Sequence, residues 1–113
     1  MRKIAPCPVE AAVTLLGNKW RILIIRDLLE GTKRFNELKR SIGGISHKVL
    51  TENLRILEEN ALLIRTVYYE TPLKVEYSLT ETGASLKPMI LFMKEWGKEY
   101  LSKMNIEEWH YID

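Results

Sequence analysis

Lys48, Thr51, Glu52 and Arg55 recur at i, i+3, i+4 and i+7, so a helix through them carries all four on one face. Such a face offers donors and acceptors that suit base edges and phosphates. Glu52 counts against a pure phosphate grip, yet a carboxylate can accept from a cytosine amine. Ser46 and His47 open the same run and belong with it as candidate DNA contacts. Just upstream, Lys33, Arg34, Lys39 and Arg40 add positive charge and are assigned to phosphates. An ordinary solvated amphipathic helix is the rival reading of each group taken alone.

Cys7 is the single cysteine of the chain, which excludes an internal disulfide framework and argues for a reducing compartment. It stands before Pro8, where a helix N-terminus is expected, and free amides there stabilise a thiolate. His47 and His110 lack metal-ligand spacing with Cys7 or with each other, so no metal is assigned. A Gly-rich phosphate loop, a nucleophile elbow and a His-Glu metal helix are all missing, and no catalytic residue or cofactor is expected. A Cys7–His47 pair would have to lie within hydrogen-bond reach to act as an enzyme's nucleophile and base.

The elements that would hold these residues follow from punctuation and period. Pro8 suits the first position of a helix over about 8–16 with apolar Val9, Ala12, Val13 and Leu16. Gly17 stops it and Asn18 caps the next, which carries Trp20, Leu23, Ile24 and Leu28 and ends near Gly31. A short third helix, capped by Asn36, runs to Ile42 and stops at Gly43-Gly44. Ser46 caps the fourth, which reaches Asn60, while Ile45 and Leu50 have the spacing of a hydrophobic staple. Val49, Leu50, Leu54 and Leu57 are its expected core face. A short helix, a Gly-containing turn and a second helix make a helix-turn-helix.

After Asn60 the period changes. Leu63 to Tyr69 is rich in Val, Ile, Thr and Tyr, and Lys74 to Leu79 alternates strictly, with Glu70-Thr71-Pro72 as the turn between them. This hairpin is the expected wing, and Thr71 and Lys74 are its candidate DNA contacts. Thr80 caps a last helical region, Glu81 to about Met104, which Pro88 either kinks or truly starts. Leu86, Met89, Ile90, Met93, Trp96, Tyr100 and Leu101 form its apolar stripe. Trp20 and Trp96 are expected in a core or interface; Trp109 lies in an acidic tail, Glu107-Glu108-Trp109-His110. The fold class is α+β, mainly α: one winged helix-turn-helix domain over 1–113 with a C-terminal dimerisation helix.

With 113 residues, 46% of them hydrophobic, the chain can bury a core without metal or disulfides. The net charge of +2 says little, but residues 1–60 hold 11 basic against 7 acidic side chains and residues 61–113 hold 6 against 8. A basic half and an acidic half suit a polyanion-binding surface and another with a different task. The opening Met1-Arg2-Lys3-Ile4-Ala5-Pro6-Cys7 has no apolar run behind its charges, and Met89 to Met93 is far too short to span a bilayer. A cytoplasmic location with no membrane partner is the expectation.

The sequence resembles the HxlR family of winged helix-turn-helix transcription regulators, relatives of the MarR type. The matching pieces run in order: Cys7-Pro8, Gly17-Asn18-Lys19-Trp20, Ile22-Leu23, Leu28, Gly31, Arg34-Phe35-Asn36-Glu37-Leu38 and Gly44-Ile45-Ser46. They continue through Lys48-Val49-Leu50-Thr51, Leu54, Leu57-Glu58, Pro72, Val75-Glu76-Tyr77-Ser78-Leu79-Thr80, Gly83 and Trp96. One departure is Asn60-Ala61-Leu62, where relatives usually have a Gly before the strand. The resemblance implies a homodimer on a partly palindromic operator, with the first and last helices forming the interface. Val9, Val13, Met89, Met93, Trp96 and Tyr100 are then the interface residues, and Cys7 is a candidate sensor of oxidants or electrophiles. Two alternatives stay open: a regulator answering to a small molecule in an apolar pocket near that interface, and a winged-helix protein-interaction module without DNA.

Overall fold

The computed structural model describes residues 7–105; the acidic tail with Trp109 and His110 lies outside them. Pro8 is the first residue of α1 (Pro8–Leu16), with Cys7 as its N-cap. Gly17 closes α1 at φ 66°, donating its N–H to the Val13 carbonyl at 2.6 Å. Asn18 caps α2 (Lys19–Leu28) by accepting from the Arg21 N–H at 3.2 Å. The chain then enters α3 (Phe35–Ile42) with its N-cap two residues earlier than expected. Arg34 holds the N-cap position instead of Asn36, because the Glu37 carboxylate reaches back to accept from the Arg34 N–H at 2.8 Å.

Gly43 ends α3, and Ser46 caps α4 (His47–Glu59) by accepting from the Val49 N–H at 3.1 Å. Ile45 and Leu50 are both buried, as a staple requires. Strands β1 (Leu63–Tyr68) and β2 (Lys74–Leu79) pair antiparallel from Leu63 opposite Leu79 to Tyr68 opposite Lys74. A bridge not anticipated from the sequence joins Lys33 to Tyr77, with N–H···O distances of 3.0 and 2.8 Å. It ties the segment before α3 to the free edge of β2.

The last helical region is divided, not kinked. A single turn, α5 (Glu81–Ala84), precedes α6 (Lys87–Lys103), and Pro88 lies in the first turn of α6, so it marks the true start. Thr80 caps α5 through Gly83 at 3.0 Å and donates to the Ala61 carbonyl at 2.7 Å. A Cβ at Gly83 would run into the Leu62 carbonyl, so only glycine lets α5 sit on the turn before β1.

Ile24, Ile25, Leu38, Leu50 and Leu57 are fully buried and join α2, α3 and α4. Each contributes about 1.5–3 kcal/mol of transfer free energy. Tyr77 and Leu63 bring the hairpin onto this core, and Ile90 brings α6. Leu23, expected inside, is only half-buried, whereas Arg21, Ile25 and Asp27 of the same helix are buried.

Candidate nucleic-acid interface

Helix α4 has the two faces expected of it. Leu50, Leu54 and Leu57 are buried and Val49 is half-buried against the core. Ser46, His47, Lys48, Glu52 and Arg55 are exposed; Thr51 is half-buried and donates its hydroxyl to the His47 carbonyl at 2.8 Å. The His47 ring leans on Phe35 at 4.6 Å between centroids, which joins the start of α4 to the start of α3. Lys39 and Arg40 are exposed in the last turn of α3, where cations also suit the helix C-terminus. Among the described residues, Lys39, Arg40, Lys48 and Arg55 form no ion pair.

The wing is less free than the sequence suggests. The Lys74 ammonium lies 3.7 Å from the Glu76 carboxylate and 4.8 Å from the centre of the Tyr68 ring, so it is engaged within the hairpin. Lys33 is drawn to Glu30 at 3.5 Å. Thr71 and Pro72 are exposed, joined by a cis peptide bond, beside Tyr69, which is 89% exposed.

Between α4 and the hairpin runs a cleft of about 530 Å³ whose lining includes Arg55, Glu58, Tyr77 and Arg65. Arg65 is exposed, and was missed from the sequence because a lone arginine in a strand does not show which face of the hairpin it occupies. Its register opposite Tyr77, a core residue, could have shown that it shares the inward face.

A buried polar junction holds α4 to the other end of the domain. The Arg21 Nε donates to Asn53 Oδ1 at 2.9 Å, and Nη1 donates to the Leu15 and Thr14 carbonyls at 2.9 and 3.4 Å. Asn18 Nδ2 donates to the same Asn53 oxygen at 3.4 Å, and Asn53 Nδ2 donates to the Val49 carbonyl at 2.8 Å. The cation thus meets the last carbonyls of α1, where the helix dipole favours it. A Cβ at Gly17 would collide with its guanidinium.

Cys7 is exposed, and its side chain makes no capping bond. On the same side of the fold α1 and α6 leave much apolar surface uncovered. Val9 and Val13 of α1 are exposed, as are Phe92, Met93, Trp96 and Tyr100 of α6. Trp96, expected in a core or interface, is 58% exposed and stacks on Tyr100 at 5.4 Å. Met89 is half-buried against the core. A groove of about 740 Å³ lies between α1, the start of α2, Met89 and Met93. No described helix is long and apolar enough to cross a membrane. No three His, Cys, Asp or Glu side chains gather as metal ligands among the described residues.

Comparison with known proteins gives a concordant result. A model of the HxlR-like helix-turn-helix family matches residues 15–105. The HTH-type transcriptional regulator YodB of Bacillus subtilis (strain 168) is 44% identical over 95 residues, covering 83% of this chain and 85% of that protein. The redox regulator HypR in its reduced form superposes with a TM-score of 0.82 at 41% identity, over 88% of this chain and 98% of that one. Its oxidized form gives a TM-score of 0.78 at 45% identity, over 82% and 96%.

Proposed function

The chain belongs to the HxlR-like helix-turn-helix family, whose members are transcription regulators, not a class of enzyme, and from that premise we propose that it works as a homodimer whose two α4 helices read a partly palindromic operator. The observation that carries this reading is the outer face of α4: polar, and without internal ion pairs among the described residues. A helix of this kind fits a major groove about 12 Å wide. Ser46, His47, Lys48, Thr51 and Glu52, in its first turns, face base edges. Arg34, Lys39 and Arg40 contact phosphates, while Thr71 and Lys74 bring the wing alongside. Val9, Val13, Met89, Met93, Trp96 and Tyr100 close the interface, so that the two reading helices repeat at about 34 Å. The site of action is the cytoplasm.

Cys7 is the signal receptor in this reading. Its exposure and free side chain support that role, as does the likeness to a regulator solved in reduced and oxidized forms. With one cysteine per chain, the products open to it are an intersubunit disulfide, a mixed disulfide with a small thiol, or an alkylated thiol.

Fluorescence anisotropy on duplex DNA from upstream of the protein's own gene tests both parts. Reduced protein should bind tightly and lose affinity as salt rises. A thiol oxidant should alter binding of the wild type and leave Cys7→Ser unaffected. Binding that ignores the oxidant in both would remove Cys7 as receptor and favour a small-molecule effector in the apolar groove beside α1.

A further inference from the structure

The cleft between α4 and the hairpin holds two guanidinium groups from different elements. Arg55 projects from the third turn of α4, and Arg65 from the middle of β1. Phe35, His47 and Tyr77 contribute ring surface to the same cleft, and Glu58 is its carboxylate. Although Glu58 shares this space, neither arginine forms an ion pair among the described residues. The cleft thus carries two guanidinium groups against one carboxylate, and the excess positive charge favours an anion there.

The shape of the molecule identifies the anion. An α-helix with its side chains is about 10–12 Å across and nearly fills the major groove. The two phosphate strands that border the groove must therefore lie along the flanks of α4. One flank of α4 is bounded by the hairpin, and the space between is the cleft lined by Arg55 and Arg65.

We propose that Arg55 and Arg65 form a phosphate clamp, closing from helix and wing on one strand of the duplex where it borders the groove occupied by α4. The proposal rests on the DNA reading above and adds to it a residue and a mode of contact. It assigns Arg55, whose face could suit base edges or phosphates, to backbone contact. It also makes the base of the wing, not its tip, the part that grips DNA, in keeping with the internal engagement of Lys74. A guanidinium suits this task because its planar fork can meet two phosphate oxygens at once.

The test is a salt titration. Binding of the full-length wild type, Arg65→Gln, Arg65→Lys and Arg55→Gln is followed on the upstream duplex and on a shuffled duplex of the same composition. Each neutralised phosphate contact contributes about 0.9 to the slope of log affinity against log salt. Each glutamine variant should lower that slope by about one on both duplexes. Arg65→Lys keeps the charge and should keep the wild-type slope. A slope unchanged in Arg65→Gln overturns the clamp and leaves the DNA reading standing. A loss confined to the upstream duplex also overturns it, since Arg65 would then read a base. If Arg65→Lys falls as far as Arg65→Gln, the role is packing and the clamp is wrong. Failure of the wild type to bind either duplex at low salt overturns clamp and DNA reading together.

Discussion

Ala61 sits at φ 61°, in the left-handed region, between the end of α4 and the start of β1. That backbone costs a residue with a Cβ roughly 1–2 kcal/mol, which glycine avoids at the expense of greater freedom when unfolded. The departure from the family's glycine was visible in the sequence, but the strain behind it was not, because φ cannot be read from residue type. Ala61→Gly should therefore raise stability by about 0.5–1 kcal/mol, shifting the melting temperature upward by several degrees for a domain of this size. Thermal unfolding at fixed protein concentration measures it; an unchanged or lower midpoint would refute the strain. Arg65 and Asn53 were hidden for a related reason. Residue type does not show that Asn53 is buried or which face of the hairpin the exposed Arg65 occupies; only the position of Arg21 and the pairing register of β1 do.

Among the elements, periodicity and punctuation placed nearly everything. All four helices before the hairpin, both strands and the caps at Asn18, Ser46 and Thr80 lie where residue patterns put them. The exceptions are local. Glu37 moved the N-cap of α3 by two residues, and Pro88 turned one long helix into α5 and α6. What no pattern could show is the polar tie among α1, α2 and α4 through Arg21 and Asn53, since it depends on contacts far apart in sequence. Asn53→Leu leaves the Arg21 Nε without its buried acceptor, and a hydrogen bond to a charged group is worth about 1.5–3 kcal/mol. Urea unfolding should show a loss of that order. Gly17→Ala should cost at least about 1 kcal/mol, since its Cβ meets the same guanidinium at a positive φ. If both variants unfold at the wild-type midpoint, the junction carries no stability.

At the scale of the whole molecule, the stripe on α6 was legible but its division was not. Ile90 belongs to the core of its own subunit, whereas Phe92, Trp96 and Tyr100 are left uncovered. Deleting everything from Pro88 would thus remove core as well as interface, and substitution on the outer side is the cleaner test. Trp96→Glu places a charge in the proposed interface without touching Ile90. It should sediment as a monomer, with operator affinity reduced more than tenfold because two linked contacts become independent ones; a dimer of wild-type affinity would contradict the interface. The Lys33–Tyr77 bridge has a consequence on the same scale. It fastens the wing to the strand of chain leading into α3, so helix-turn-helix and hairpin form one solid jaw. In the dimer proposed above, a pair of such jaws would behave as a caliper: its grip on DNA would be adjusted by the opening at the hinge, where α1 and α6 would meet their counterparts, and not by bending either arm.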